Sequence, residues 1–150
     1  MVMESLKVEE RERLQRLLTE MNDGQAMVEL LRQQLSTLAG SLSELNMTVG
    51  ALKSLKETPP STDILVPLGS DTFIPAKLPS VDRVLVGLGA DVMVERTAEE
   101  AIKILEARIA EVEKVVEQTR AELKKVEERI EAIRPEAEKL LVKAREATGK

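Results

Sequence analysis

The sequence predicts a mainly α protein: a long antiparallel coiled-coil hairpin whose two helices flank two central β-hairpins. Three observations predict it. Two runs of apolar residues repeat at alternating spacings of three and four, and between them the period falls to two. The composition is also wrong for a thick globular core: 33% of the 150 residues are charged, and Phe73 is the single aromatic. Apolar burial must then come from aliphatic side chains in narrow helix–helix seams.

The first seam reads Leu14, Leu17, Met21, Gly24, Val28, Leu31, Leu35, Leu38, Leu42, Leu45, Val49 and Leu52, apolar at every position except Gly24. Residues 1–58 are accordingly read as one coiled-coil helix. Pro59-Pro60 ends it near Thr58, because proline lacks an amide donor and pushes its predecessor to extended geometry.

Residues 59–96 read as two β-hairpins that serve as an oligomerisation platform. Ile64–Leu68 and Thr72–Lys77 are strand candidates around Gly69-Ser70-Asp71; Arg83–Leu88 and Val92–Glu95 pair around Gly89-Ala90-Asp91. Loops of about three residues with Gly between apolar runs suit hairpins. Pro67 and Pro75 cannot donate to a ladder, so they belong at edges or bulges. Four strands with so few large residues bury too little to stand alone, which predicts an oligomer whose strands complete one another's sheets.

Residues 97–150 carry the second seam: Ile102, Leu105, Ile109, Val112, Val116, Thr119, Leu123, Val126, Ile130, Ile133, Ala137, Leu140, Ala144 and Ala147. Thr97 with Glu100 three residues on marks its start as a capping box. Pairs such as Glu111/Lys114, Glu117/Arg120, Glu122/Lys125 and Glu131/Arg134 read as a solvated outer face. The β centre turns the chain around, so Leu52 should lie near Ile102 and Leu14 near Leu140, with both termini at one tip.

The strand residues resemble a known family. Ile64-Leu65-Val66-Pro67-Leu68-Gly69, Phe73-Ile74-Pro75-Ala76-Lys77-Leu78, Asp82-Arg83-Val84-Leu85-Val86-Gly87-Leu88-Gly89 and Val94-Glu95 are similar to the centre of archaeal prefoldin alpha subunits. The helix–two hairpins–helix order matches as well. One departure is Ala90-Asp91-Val92-Met93, where that family usually carries aromatics. The resemblance implies a heterohexamer of two alpha and four beta-type subunits, its hairpins joined in an oligomeric β-barrel platform from which the coiled coils hang. It also implies an ATP-independent chaperone (a holdase) in the cytoplasm that captures unfolded proteins at the coiled-coil tips and delivers them to a group II chaperonin.

The regular seam fails upstream of Leu14, where Lys7 and Glu10 take seam positions, yet apolar residues continue. Met1, Val2, Met3, Leu6 and Val8, with Leu140, Leu141, Val142, Ala144 and Ala147 opposite, are the candidate client-binding tip, since flexible aliphatic and Met side chains repack against many surfaces. Ile64, Val66, Leu68, Phe73, Ile74, Val84, Val86, Val92 and Val94 are the candidate oligomer interface. Antiparallel pairing puts Gly24 opposite Ile130, about one heptad from Pro135; Gly24 and Pro135 weaken their helices and form a candidate hinge.

Other functions are excluded by what is missing. With no His and no Cys, the common zinc sets and the Ser–His and Cys–His pairs are unavailable, and no catalytic residue, metal or cofactor is expected. Gly87-Leu88-Gly89-Ala90 lacks the Lys and the following helix of a phosphate loop and reads as a turn. A net charge of −5 with interspersed signs argues against nucleic acid, and no run is long enough to span a membrane. The competing reading is a structural or adaptor coiled coil that oligomerises through its β centre without binding clients; suppression of aggregation without nucleotide separates the two.

Overall fold

The computed structural model describes residues 6–148, in the order α1 (Val8–Lys56), β1 (Thr62–Gly69), β2 (Thr72–Leu78), β3 (Arg83–Gly89), β4 (Val92–Thr97) and α2 (Ala98–Thr148). Helix α1 opens with Glu9 and Glu10 and closes with Lys53 and Lys56, charges that complement the helix dipole at each end. It stops two residues before Thr58. Glu57 and Thr58 donate their amides to Ser54 O (3.2 Å) and Leu55 O (3.1 Å), and the Thr58 hydroxyl donates to Ser54 O at 2.9 Å. The Thr58 amide thereby takes the Leu55 carbonyl, which Pro59 has no amide to serve. Helix α2 starts on the expected box: the Thr97 amide donates to Glu100 Oε2 (3.2 Å) and the Glu100 amide to Thr97 Oγ1 (3.1 Å).

The strands form two separate two-stranded antiparallel sheets, β1–β2 and β3–β4. The connections are two-residue turns, not the three-residue loops expected. Ser70-Asp71 (φ 48° and 60°) and Ala90-Asp91 (φ 48° and 61°) both sit in the left-handed region, as a type I′ turn requires. Gly69 (φ 110°) and Gly89 (φ 101°) precede them, and the register slips past Leu68 and Leu88, which are bulged. That extra strand residue is why the loop looked longer in sequence.

The two sheets are one unit written twice. Residue n of the first corresponds to residue n+20 of the second, since Val66↔Ile74 and Pro67↔Phe73 repeat as Val86↔Val94 and Gly87↔Met93. Leu65/Leu85, Val66/Val86, Leu68/Leu88, Gly69/Gly89 and Asp71/Asp91 are identical between the copies.

The chain divides into two compact units, one gathering residues up to Ala39 with those from Lys114, the other Gly40–Glu113. In the first, Leu6, Leu14, Leu17, Ile133, Ala137 and Ala144 make the buried core. In the second, Val49, Leu52, Ala101, Ile102 and Leu105 enclose Val86 of β3. Leu14 packing beside Leu140, and Leu52 beside Ile102, is the antiparallel pairing that the seams predict. Every seam position is buried or half-buried except Ala147.

Candidate functional site

Two regions carry the residues singled out from sequence, and each lies within one unit. The first is the pair of β-hairpins. Alternation along β3 and β4 turns Val84, Val86 and Val94 onto the helix roots, where they join the core, and turns Leu85, Gly87, Met93 and Glu95 to the opposite face. Of the candidate interface residues, Val86 is therefore buried by its own chain and Val84 and Val94 partly so. Ile64 is half-buried, whereas Val66, Leu68, Phe73, Ile74 and Val92 are exposed.

Leu65, Leu85, Leu88 and Met93 are exposed too, and the interface reading from sequence missed them. Strict alternation hid them, because the strands are apolar on both faces. The repeated positions match: Leu65 and Leu85 are 65% and 68% exposed, and Phe73 and Met93 are 53% and 57% exposed. Single exposed aliphatics are ordinary; here they recur on strands whose outer edges are open.

Backbone and side-chain contacts fix hairpin two on its support. The half-buried Arg108 of α2 donates to the Gly87 carbonyl of β3. Cross-strand Lys77–Asp63 (3.3 Å) decorates hairpin one.

The second region holds the helix ends away from the strands in sequence. Packing there extends past Leu14, contrary to the lapse expected from Lys7 and Glu10. Leu6 is buried against the Ala137–Ala144 stretch, and Glu10 is met by Lys143 across the helix pair. Among the candidate tip residues, Leu6 and Ala144 are buried, Leu140 and Leu141 pack against that core, and Val8, Val142 and Ala147 are exposed. Met1, Val2 and Met3 lie outside the described residues.

Ion pairs bridge the two helices of this region. Arg13 makes a two-point bond to Glu136 (2.9 Å at each contact), Arg129 donates to Glu20 at 2.6 Å, and Arg32 to Glu127 at 3.1 Å. Of the outer-face pairs expected along α2, Glu131/Arg134 closes at 3.1 Å. Gly24 and Pro135 lie inside uninterrupted helices, and the side chain facing Gly24 is Ile130. Among the described residues no cluster of metal-ligating side chains occurs, and no helix is long and apolar enough to cross a membrane.

A helix pair whose connection is two open-edged hairpins defines a coiled-coil protein with a β centre. Comparison with known proteins agrees. The family model described as prefoldin subunit matches residues 25–143, and the chain belongs to that family, one of chaperone subunits and not of enzymes.

The chain is 36% identical to the prefoldin subunit alpha of Methanopyrus kandleri over 103 residues, 69% of this chain and 66% of the relative. It is 36% identical to that of Methanosphaera stadtmanae over 99 residues, 66% of this chain and 70% of the relative. The matched segment thus spans about two thirds of these relatives. A chain from the cryo-EM structure of filamentous PFD from Methanocaldococcus jannaschii superposes with a TM-score of 0.71 at 26% identity, covering 79% of this chain and 98% of that one.

Proposed function

We propose that this chain is the alpha-type subunit of a cytoplasmic, ATP-independent holdase. It assembles with beta-type subunits, two alpha with four beta, through the hairpins of residues 59–96. It holds unfolded proteins at the far end of its coiled coil (residues 1–58 and 97–150) for transfer to a group II chaperonin. The observation that carries the assembly step is the exposed apolar strand surface, Leu65, Leu68, Phe73, Leu85, Leu88 and Met93, which no other described residue covers. Client capture is supported by Val8 (66% exposed) and Val142 (50% exposed), apolar side chains left open near a buried end-core. A bend at Gly24 and Pro135 would let that end follow clients of different size.

The test takes three measurements. Mass of the chain alone and after coexpression with a beta-type subunit should rise to a heterohexamer only in the second case. The assembly should suppress aggregation of a chemically unfolded protein without nucleotide. Removing Met1–Val8 and Leu141–Lys150 should abolish that suppression while the hexamer survives. A truncated hexamer that still suppresses aggregation would remove the tip from the account, and a full one that never does would favour a structural coiled coil. Equally slow amide exchange on both sides of Gly24 would argue against the bend.

A further inference from the structure

The two hairpins share a ladder but not a support. Hairpin one (β1–β2) and hairpin two (β3–β4) are two-stranded antiparallel pairs with the same register, turn conformation and bulge. Pro67 and Pro75 have no amide, which puts Pro67↔Phe73 and Leu65↔Pro75 at non-hydrogen-bonded positions and Val66↔Ile74 at a hydrogen-bonded one. The repeat gives Val86↔Val94 the same place in hairpin two. With the ladders alike, the larger difference lies outside them.

Three features of the surroundings differ. Val86 is 7% exposed among Val49, Leu52, Ala101, Ile102 and Leu105, and Val84 and Val94 pack against the same core. Their counterparts Val66 and Ile74 are 38% and 49% exposed, and among the described residues neither core includes a residue of hairpin one. Arg108 of α2 donates to the Gly87 carbonyl, whereas no described side chain donates to the equivalent carbonyl of Pro67. Finally, β4 runs into α2 with no residue between Thr97 and Ala98, while hairpin one hangs between linkers at 57–61 and 79–82. Its cross-strand ion pair, Lys77–Asp63, joins two strongly exposed side chains and adds little. A two-stranded hairpin is marginal in water unless a helix or a further strand supports it.

We propose that hairpin two is a preformed extension of the helix pair, latched by Arg108, and that hairpin one is a strap that opens and closes in the free chain. The strap takes one fixed position only when its apolar face of Ile64, Val66 and Ile74 is covered by another subunit. Its opening is local, at a free energy below that of global unfolding. What covers the strap rests on the reading that the chain assembles with beta-type subunits; the opening itself does not. Arg108 is then a positioning residue, tying the angle of hairpin two to helix α2.

Amide exchange on the full chain, at the lowest concentration that can be measured, tests the proposal. Corrected for intrinsic rates, the Val66 and Ile74 amides should exchange about tenfold faster or more than those of Val86 and Val94. With a purified beta-type prefoldin subunit they should slow by about tenfold or more, and Val86 and Val94 should slow less. Arg108→Ala should speed exchange at Val86 and Val94 by about threefold or more. It should leave Val66, Ile74 and the α1 amides around Leu17 unchanged, whereas a general loss of stability would speed all of them.

Equal exchange at the four matched amides in the free chain overturns the strap, whatever the partner does. Val66 and Ile74 amides that stay fast in a formed complex overturn its fixing by a second subunit. Unchanged exchange at Val86 and Val94 in a folded Arg108→Ala chain removes the latch. No association with any beta-type subunit overturns the parent reading, while the rates in the free chain still decide the strap. Should Arg108→Ala not fold, the same rates in the unaltered chain decide.

Discussion

Ile130 lies directly over Gly24. A methyl group built on Gly24 would stand 2.9 Å from Ile130 Cγ1 and 3.0 Å from its Cδ1, closer than carbon atoms approach. The glycine is thus a socket for the isoleucine, and its weakness as a helix former is offset by that packing. Gly24→Ala gains roughly 1 kcal/mol of helix propensity and loses about 1–3 kcal/mol to overpacking. Thermal unfolding should show a net loss. Gly24→Ala combined with Ile130→Ala should be less destabilised than the sum of the single changes, by about 1 kcal/mol in a double-mutant cycle.

Ala90 sits at φ 48°, a conformation that its Cβ disfavours by roughly 1–2 kcal/mol. Replacing it with Gly or Asn should raise the unfolding midpoint. Gly69→Ala and Gly89→Ala should each cost about 1 kcal/mol of stability although no atom crowds either site, because the loss is one of backbone geometry. Equal midpoints for Ala90→Gly and the unaltered chain would contradict the strain.

Thr97→Ala leaves the Glu100 amide without its hydroxyl acceptor at the start of α2. The expected loss is about 1 kcal/mol. Thr97→Ser should keep most of the stability, and chemical denaturation of the two variants side by side is the check.

Acid should loosen the helix pairing. Hydrogen bonds from Arg13, Arg129, Lys143 and Lys56 hold the carboxyls of Glu136, Glu20, Glu10 and Glu99 below their ordinary value of 4.5. Their contribution is complete above that value and is lost as pH falls through the lowered values of the folded chain. The unfolding midpoint should stay level at neutral pH and fall below about 4.5. The Glu20→Gln/Glu136→Gln chain should start lower and lose less over the same range. Glu99 and Glu136 are solvent-exposed and Glu10 and Glu20 partly so, so high salt should shrink the difference.

Much of this was legible in the residues. The seams gave the helix faces, Thr97 and Glu100 gave the start of α2, and antiparallel counting set Gly24 against Ile130, because each follows from spacing along one chain. What escaped depends on three-dimensional closeness. Arg13 and Glu136 are 123 residues apart in the chain and meet only after the helices pair. Leu6 looked stranded beyond Lys7 and Glu10 until Lys143 was seen to satisfy Glu10 and let the packing continue. Val86 read as an oligomer-interface residue because nothing local says that α1 and α2 pack against β3. The repeat was visible in principle, but five shared letters inside short strands are a weak signal until the registers coincide.

The spacing of that repeat has a genetic consequence. Loss of the twenty residues 64–83 in a single in-frame event would join Asp63 to Val84 and leave one complete strand–turn–strand between the same two helices. The converse event, a tandem copying of sixty nucleotides, would give a one-hairpin chain two identical hairpins without disturbing either heptad register. A gene of this kind can therefore change the number of its joining modules by copy-number slippage, while the helices on either side descend unaltered.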